Sequence, residues 1–221
     1  MGWKAFAIFA TDQPGYFGSK PVHSASIAED VRFRLGLTDY APAGEVDFDA
    51  ALNPRQGALY IGGYPGGTLI CDSDLPSHFF DERSQRAISG RSTRFQEVKA
   101  EVLRLYPDGE VMAIVLHSVV NLWGYSVYSH GQLIRSAAGA SDDGLLANTG
   151  APLPEELRRL QECAIDKVDE EGDGEALVFE VAARMFGQRM DALEEIPLRL
   201  TEYRPRTSGP VTFVKRLFGR R

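Results

Sequence analysis

Residues 111–138 read VMAIVLHSVVNLWGYSVYSHGQLIRSAA, the longest run of apolar and β-branched residues in the chain. Such residues favour strands, and Ser129-His130-Gly131 lies where a tight turn would separate two of them. We expect three strands in quick succession, over 111–120, 122–128 and 132–137. Connections this short join antiparallel neighbours, so this stretch predicts the centre of an antiparallel sheet.

The surrounding chain predicts helices and further strands on both sides of this stretch. Apolar residues at helical spacing indicate helices at 27–35, 93–106, 154–165 and 175–190. Strands are expected at 3–10, 58–63, 68–72 and 198–203, the last of them at an edge. Polar or small residues predict a connector after the first helix and a loop at 139–154.

These elements predict an α+β fold. We expect a mostly antiparallel sheet with helices packed mainly on one face, because an amphipathic helix must bury its apolar side against another element. One domain is expected over residues 1–206, followed by a basic amphipathic tail at 207–221.

Charge and composition exclude some classes of protein. The formal net charge of -7 over 221 residues argues against a nucleic-acid-binding protein, because phosphate contacts need clustered Lys and Arg. No apolar run approaches the roughly 20 residues of a membrane helix, and the start of the chain lacks the features of a secretory signal. Cys71 and Cys163 lie in separate apolar segments. Two free buried thiols are therefore expected, which predicts a reducing, cytoplasmic compartment.

The histidines give no strong catalytic or metal motif. No sequence signature of a hydrolase elbow, a zinc peptidase or a nucleotide loop occurs, and neither a metal nor a cofactor is predicted. His117 and Ser118 are adjacent on a predicted strand, and adjacent strand residues face opposite sides. A catalytic dyad of Ser118 as nucleophile and His117 as general base is therefore disfavoured. His117 is expected to be a hydrogen-bonded core residue.

An enzyme with a site assembled by the fold is the second functional hypothesis. Its candidate residues are His117, Ser118, Arg135 and the pair Asp142 and Asp143. The two aspartates lie just beyond a central strand, where they can form an acid pair or cation ligands, or simply turn the chain.

Aromatic residues provide the candidates for a binding surface. Trp123 and Tyr125 mark such a surface if no helix covers them. Tyr64, in the glycine-rich corner 62–67, is a third candidate binding residue. We interpret that corner as a hairpin turn, because a phosphate-binding loop would open into a helix and here a strand follows.

The tail differs in character from the rest of the chain. Phe213 and Leu217 would share one helical face, with Lys and Arg residues nearby. A basic amphipathic segment can dock on a membrane surface or an acidic partner, and the alternative is a tail packed on its own acidic body.

Several segments together resemble a family of uncharacterised bacterial proteins known only as a domain of unknown function. The similar segments are Met1-Gly2-x-Lys4, Ile61-Gly62-x-Tyr64-Pro65-Gly66, His117-Ser118-Val119-Val120, Trp123 to Tyr125, Gly131-x-Leu133-Ile134-Arg135-Ser136 closed by Gly144, and Glu175-Ala176-Leu177 with Phe186-Gly187. Before the last helix, family members carry a His-Pro stretch and this chain has an acidic loop. The resemblance implies no activity.

Three functional hypotheses follow. The leading one is a cytoplasmic, non-catalytic protein that binds another protein, of the immunity or antitoxin kind, with a basic partner favoured by the acidic charge. The others are the enzyme described above and a structural or membrane-surface module that uses the tail.

Overall fold

A single antiparallel sheet of nine strands organises the residues that the structure describes, which in this computed structural model are 3–89, 95, 97–168, 174–192 and 196–206. The strands are β1 (Lys4–Thr11), β2 (Tyr40–Asp47), β3 (Leu59–Tyr64), β4 (Gly67–Cys71), β5 (Glu110–His117), β6 (Leu122–Ser129), β7 (Gln132–Ala140), β8 (Gly144–Thr149) and β9 (Arg199–Pro205). Their order across the sheet is β2-β9-β3-β4-β1-β5-β6-β7-β8. The helices are α1 (Ala25–Arg34), α2 (Phe48–Leu52), α3 (Glu82–Ser89), α4 (Val98–Leu105), α5 (Leu157–Glu162) and α6 (Gly174–Phe186). The predicted α+β class and antiparallel sheet are confirmed.

The stretch 111–138 forms three consecutive strands, as its pattern predicts. In β5 and β6, Val115 pairs with Gly124, and in β6 and β7, Tyr125 pairs with Ala137. β5 ends earlier than expected, because Ser118–Val120 forms a short 3-10 helix.

Helices lie on both faces of the sheet, which corrects the prediction of one mainly covered face. Along β1, Ala5, Ala7 and Phe9 belong to a core shared with α2 and α6, which we call the first face. Ile8 and Ala10 belong to a core shared with α1 and α4, on the second face. The physical reason is that β1 and β5 are apolar at consecutive positions, so both sides of these strands must be kept from water.

Three further elements differ from the sequence prediction. β2 lies within the predicted polar connector and β8 within the predicted loop 139–154. β9 is not an edge strand, because β2 pairs with it on the side away from β3. β2 is the edge strand on this side of the sheet, and its exposed residues and the register shift at Pro42 and Gly44 hide the alternation by which strands are recognised.

A cluster of phenylalanines anchors α6 to the first face. The ring of Phe186 lies 5.3 Å from Phe9, 5.9 Å from Phe17 and 6.0 Å from Phe48, measured between centroids. The backbone turn before α1 approaches the same helix end so closely that a Cβ added at Gly18 would lie 1.9 Å from the Phe186 carbonyl oxygen. The end of α6 is therefore held by both ring packing and backbone contact.

Neither cysteine forms a disulfide and both are buried, as the sequence predicts. Burial raises the pKa of the Cys71 thiol well above its usual range. Within the part of the chain that the structure describes, no helix combines the length and apolar character needed to cross a bilayer.

His23 ties the start of α1 to the sheet and gives the fold a pH dependence. Its Nε2 lies 2.9 Å from the Thr201 hydroxyl in β9, and its Nδ1 accepts a hydrogen bond from the Gly63 N–H in β3. Burial lowers the pKa of His23, so the unfolded chain takes up the proton first as the pH falls. The stabilising contribution of the neutral ring is therefore complete above its ordinary pKa and is lost as the pH falls through the lowered one.

We expect His23→Gln to destabilise the fold at about pH 8 and to cost less at about pH 5. Urea unfolding of the wild type and the variant at both pH values measures the difference. A cost that stays constant, or that grows as the pH falls, would contradict the assignment of His23 as a neutral, hydrogen-bonded residue.

Candidate functional site

One end of the sheet presents two adjacent valines to solvent. Val119 is 86% exposed and Val120 is 52% exposed, in the 3-10 turn between β5 and β6. The turn is fixed at its start, where the Ser118 N–H donates to the Trp3 carbonyl over 3.1 Å, and at its end, where Asn121 is left-handed with φ 45°. Asn is among the side chains that accept this conformation most readily. The exposed valines therefore sit on a defined backbone.

A second turn lies beside the first and carries two carboxylates. The Asn121 side-chain N–H donates to the Ser141 hydroxyl over 2.7 Å, which joins the β5–β6 turn to the β7–β8 turn. Asp142 and Asp143 follow Ser141 and are exposed. We call residues 118–121, 141–143, Gly174 and Glu175 together the end surface.

A cavity of about 150 Å³ opens at this surface. Leu116, Leu122 and Trp123 supply its apolar lining, and Ser118, Asn121, Gly174 and Glu175 complete it. α6 begins directly against the indole, since a Cβ at Gly174 would lie 2.1 Å from Trp123 Cδ1. The Oε2 atom of Glu175 accepts a hydrogen bond from the backbone N–H of Trp3 over 3.0 Å. The site thus combines an apolar floor with polar groups and a carboxylate.

A second cleft, of about 190 Å³, lies at the opposite end of the sheet, where β1 and β6 end and β5 begins. Part of its charged lining is paired: the Arg184 guanidinium binds the Glu110 carboxylate and lies 2.9 Å from Glu155. Burial alone would lower the pKa of Arg184, but hydrogen bonds to Glu110 and the two acidic charges raise it. This pairing marks Arg184 as a residue that ties α6 to β5.

Arg135, a candidate residue of the enzyme hypothesis, is buried in an ion pair with Glu156. Its Nε lies 2.9 Å from Glu156 Oε1 and its Nη2 lies 3.0 Å from Oε2, with side chains only 1% and 0% exposed. Nη1 donates to the Asn148 side chain over 2.7 Å and to the Thr149 carbonyl, and the Leu153 N–H donates to Glu156. Burial opposes the charge of Arg135, but Glu156 raises its pKa. The contacts of the guanidinium are structural.

The condition for an aromatic binding surface is not met, because Trp123, Tyr125 and Tyr64 are all buried. Tyr125 and Tyr64 are buried on the first face, Tyr125 beside Arg135 and Glu156, and Tyr64 with its hydroxyl donating to the Arg199 carbonyl over 2.9 Å. Burial raises the pKa of both phenols. The elements packed on this face cover these side chains, and Trp123, with 2% of its surface exposed, lines the cavity at the end surface.

The predicted catalytic set is divided by the structure. Ser118 lines the cavity at the end surface, and Asp142 and Asp143 lie on the neighbouring turn. Leu116 belongs to the first-face core, so strand alternation turns His117 to the second face, away from Ser118. His117 is half-buried, and its buried Nδ1 has no hydrogen-bond partner among the described residues, contrary to the hydrogen bond we expected there.

The structure does not describe the two tail candidates, and a metal site can be assessed only over the residues that it describes. Phe213 and Leu217 lie outside the described residues. Over the ranges that the structure covers, no three His, Cys, Asp or Glu side chains come together as a metal site. Val119 and Val120 are the residues that sequence reasoning missed as surface groups, because their β-branched side chains read as a continuation of the strand.

Comparison with known proteins gives one match. A family model described as "Family of unknown function (DUF6928)" matches residues 5–181. No curated protein matches the chain. No solved structure matches it either.

Proposed function

The chain belongs to this family of unknown function, and from its structure we propose that it is a non-catalytic protein-binding module whose contact surface is the end surface. The observation that carries the proposal is the pair of exposed valines, Val119 and Val120, held on a hydrogen-bonded turn beside a cavity. A clustered exposed apolar site next to a concave, partly apolar pocket is typical of an interaction site. A rigid turn also costs little conformational entropy when a partner binds.

The chemistry of the end surface suits a partner that presents an apolar side chain flanked by Lys or Arg. The apolar side chain would enter the cavity against Leu116, Leu122 and Trp123. Asp142 and Asp143 would face the basic residues, and the net charge of -7 would speed the encounter with a basic protein.

An immunity or antitoxin-like protein of the cytoplasm, in a bacterium, is the specific form of this proposal. Such a protein blocks its target by occupying a surface, so it needs a rigid acidic interface and no catalytic group. The separation of the candidate catalytic residues supports a binding role, because Arg135 is enclosed in the interior and His117 faces away from Ser118. The two buried cysteines that are not joined in a disulfide support a reducing compartment.

The test is capture of partners by tagged full-length protein, with the double variant Val119→Ser, Val120→Ser beside the wild type. We expect a captured protein whose retention falls by about tenfold or more in the double variant, because losing a hot-spot contact at the centre of an interface costs about 2 kcal/mol or more and a tenfold loss of affinity corresponds to about 1.4 kcal/mol. Quantitative mass spectrometry of the eluates measures the retention.

The matched control is Val22→Ser. Val22 is 84% exposed, nearly the same as Val119, but it lies just before His23, which contacts β3 and β9. We expect this variant to retain the partner fully. Equal retention by all three proteins, or capture of no stoichiometric partner, would overturn the proposal.

A further inference from the structure

Lys99 is an amine held against two aromatic rings on the second face. Its Nζ lies 5.0 Å from the centroid of the Tyr128 ring and 5.8 Å from that of Phe79. The side chain is half-buried on α4, whereas Lys4, Lys20 and Lys167 are exposed. Lys99 is thus the one partly desolvated lysine among those that the structure describes.

The ammonium of Lys99 has no carboxylate partner within the described residues. Its titratable neighbours are His78, from the 3-10 helix Leu75–Phe79, and Tyr128, from β6. The Tyr128 hydroxyl donates to the Phe79 carbonyl over 2.7 Å. The negative charge of Asp74 favours the protonated form of His78, whereas the pKa shift of Lys99 has burial as its cause. The residues 90–94 and 96 that precede α4 include no Asp or Glu. No carboxylate among the described residues therefore offsets the loss of hydration of the charged form.

Desolvation favours the neutral, nucleophilic amine. Burial lowers the pKa of Lys99, and no neighbouring charge contributes comparably. At neutral pH a larger share of Lys99 than of an exposed lysine is therefore the free base, which is the form that attacks a carbonyl carbon. The contact with the rings favours the ammonium, but aromatic rings attract a cation more weakly than a carboxylate does.

We propose that Lys99 is a covalent modification site of this chain, the lysine that small acyl phosphates acylate first. The free amine of Lys99 attacks the carbonyl carbon of acetyl phosphate, a C–N bond forms, and the C–O bond to phosphate breaks with its electron pair leaving on phosphate. The proton of the amine passes to solvent. The product is a neutral amide, which removes a positive charge from α4 and ends the cation contact with Tyr128.

The test treats full-length protein with acetyl phosphate at about pH 7.5, where exposed lysines are almost wholly protonated, and follows each lysine by quantitative mass spectrometry. The sequence has only five lysines, so each site is resolved. We expect Lys99 to be acetylated at least about threefold faster than Lys4, Lys20 or Lys167, since one pKa unit changes the free-base fraction tenfold. Its rate should also level off at a lower pH than theirs.

Two controls make the result decisive. Unfolding in urea should abolish the preference, because the rings and the burial are then lost. Lys99→Arg keeps the positive charge and should remove the fastest-reacting site without changing the rates at the exposed lysines. Equal or slower acetylation of Lys99 in the native protein, or a preference that persists in urea, would overturn the proposal.

Discussion

Replacing Glu156 by alanine is expected to lower the free energy of unfolding by about 3–5 kcal/mol, because the variant leaves the Arg135 guanidinium buried without its carboxylate. Both side chains are fully enclosed, and Glu156 also accepts the hydrogen bond of the Leu153 N–H. The substitution therefore leaves unpaired donors on two segments, β7 and the chain that leads to α5. Urea unfolding at neutral pH, followed by circular dichroism, measures the loss.

A surface pair provides the control for this measurement. Arg86 and Glu82 are 3.5 Å apart and largely exposed, so Glu82→Ala should change stability very little. The apolar double variant Arg135→Met, Glu156→Leu should cost less than Glu156→Ala, since it buries no unpaired charge. A loss below about 1 kcal/mol for Glu156→Ala would contradict the structural role and reopen Arg135 as a reactive group.

The second large effect is expected at the end of α6. Phe186→Ala should cost about 3–5 kcal/mol, the usual range for emptying an aromatic site in a core. Phe186 is buried against Phe9, Phe17 and Phe48, and the Gly18 backbone limits how far the helix can move to close the cavity. Thermal and urea unfolding measure the loss.

Phe33→Ala is the matched control, because Phe33 is 67% exposed on α1. It should leave the unfolding transition nearly unchanged. Similar stabilities for the two variants would contradict the packing of α6 on the first face.

The centre of the sheet was predictable because its strands are strongly apolar and closely spaced. The consecutive apolar residues of β1 and β5 also indicate that both faces of the sheet are covered, and these residues are buried in the structure. The prediction of helices mainly on one face gave this pattern too little weight. β8 and β2 were not predicted because Gly, Ala, Asn and Pro make up half of their residues, and these residues are uncommon in strands and frequent in loops. Pairing with β7 and β9 makes them strands, and such pairing leaves no local pattern.

The candidate site was predictable only in part. Ser118, Asp142 and Asp143 do lie at one end of the sheet, but their proximity follows from the pairing of β6 with β7, in which Trp123 lies opposite Gly139, and the Asn121 to Ser141 hydrogen bond then joins the two turns. Arg135 is paired with Glu156, which lies 21 positions away in the sequence. No regular spacing of residues predicts a pair at this separation. The exposure of Val119 and Val120 depends on where β5 ends, and boundaries of elements are the least predictable feature of a sequence.

The most direct test of the binding role places a photo-reactive amino acid at position 120 or at position 22 of the full-length protein. After irradiation in cells, we expect one discrete cross-linked species from position 120, containing a protein with a basic, apolar contact segment, and none from position 22. Cross-linking of that partner equally from both positions, or from neither, would contradict the proposal that the end surface is the binding site.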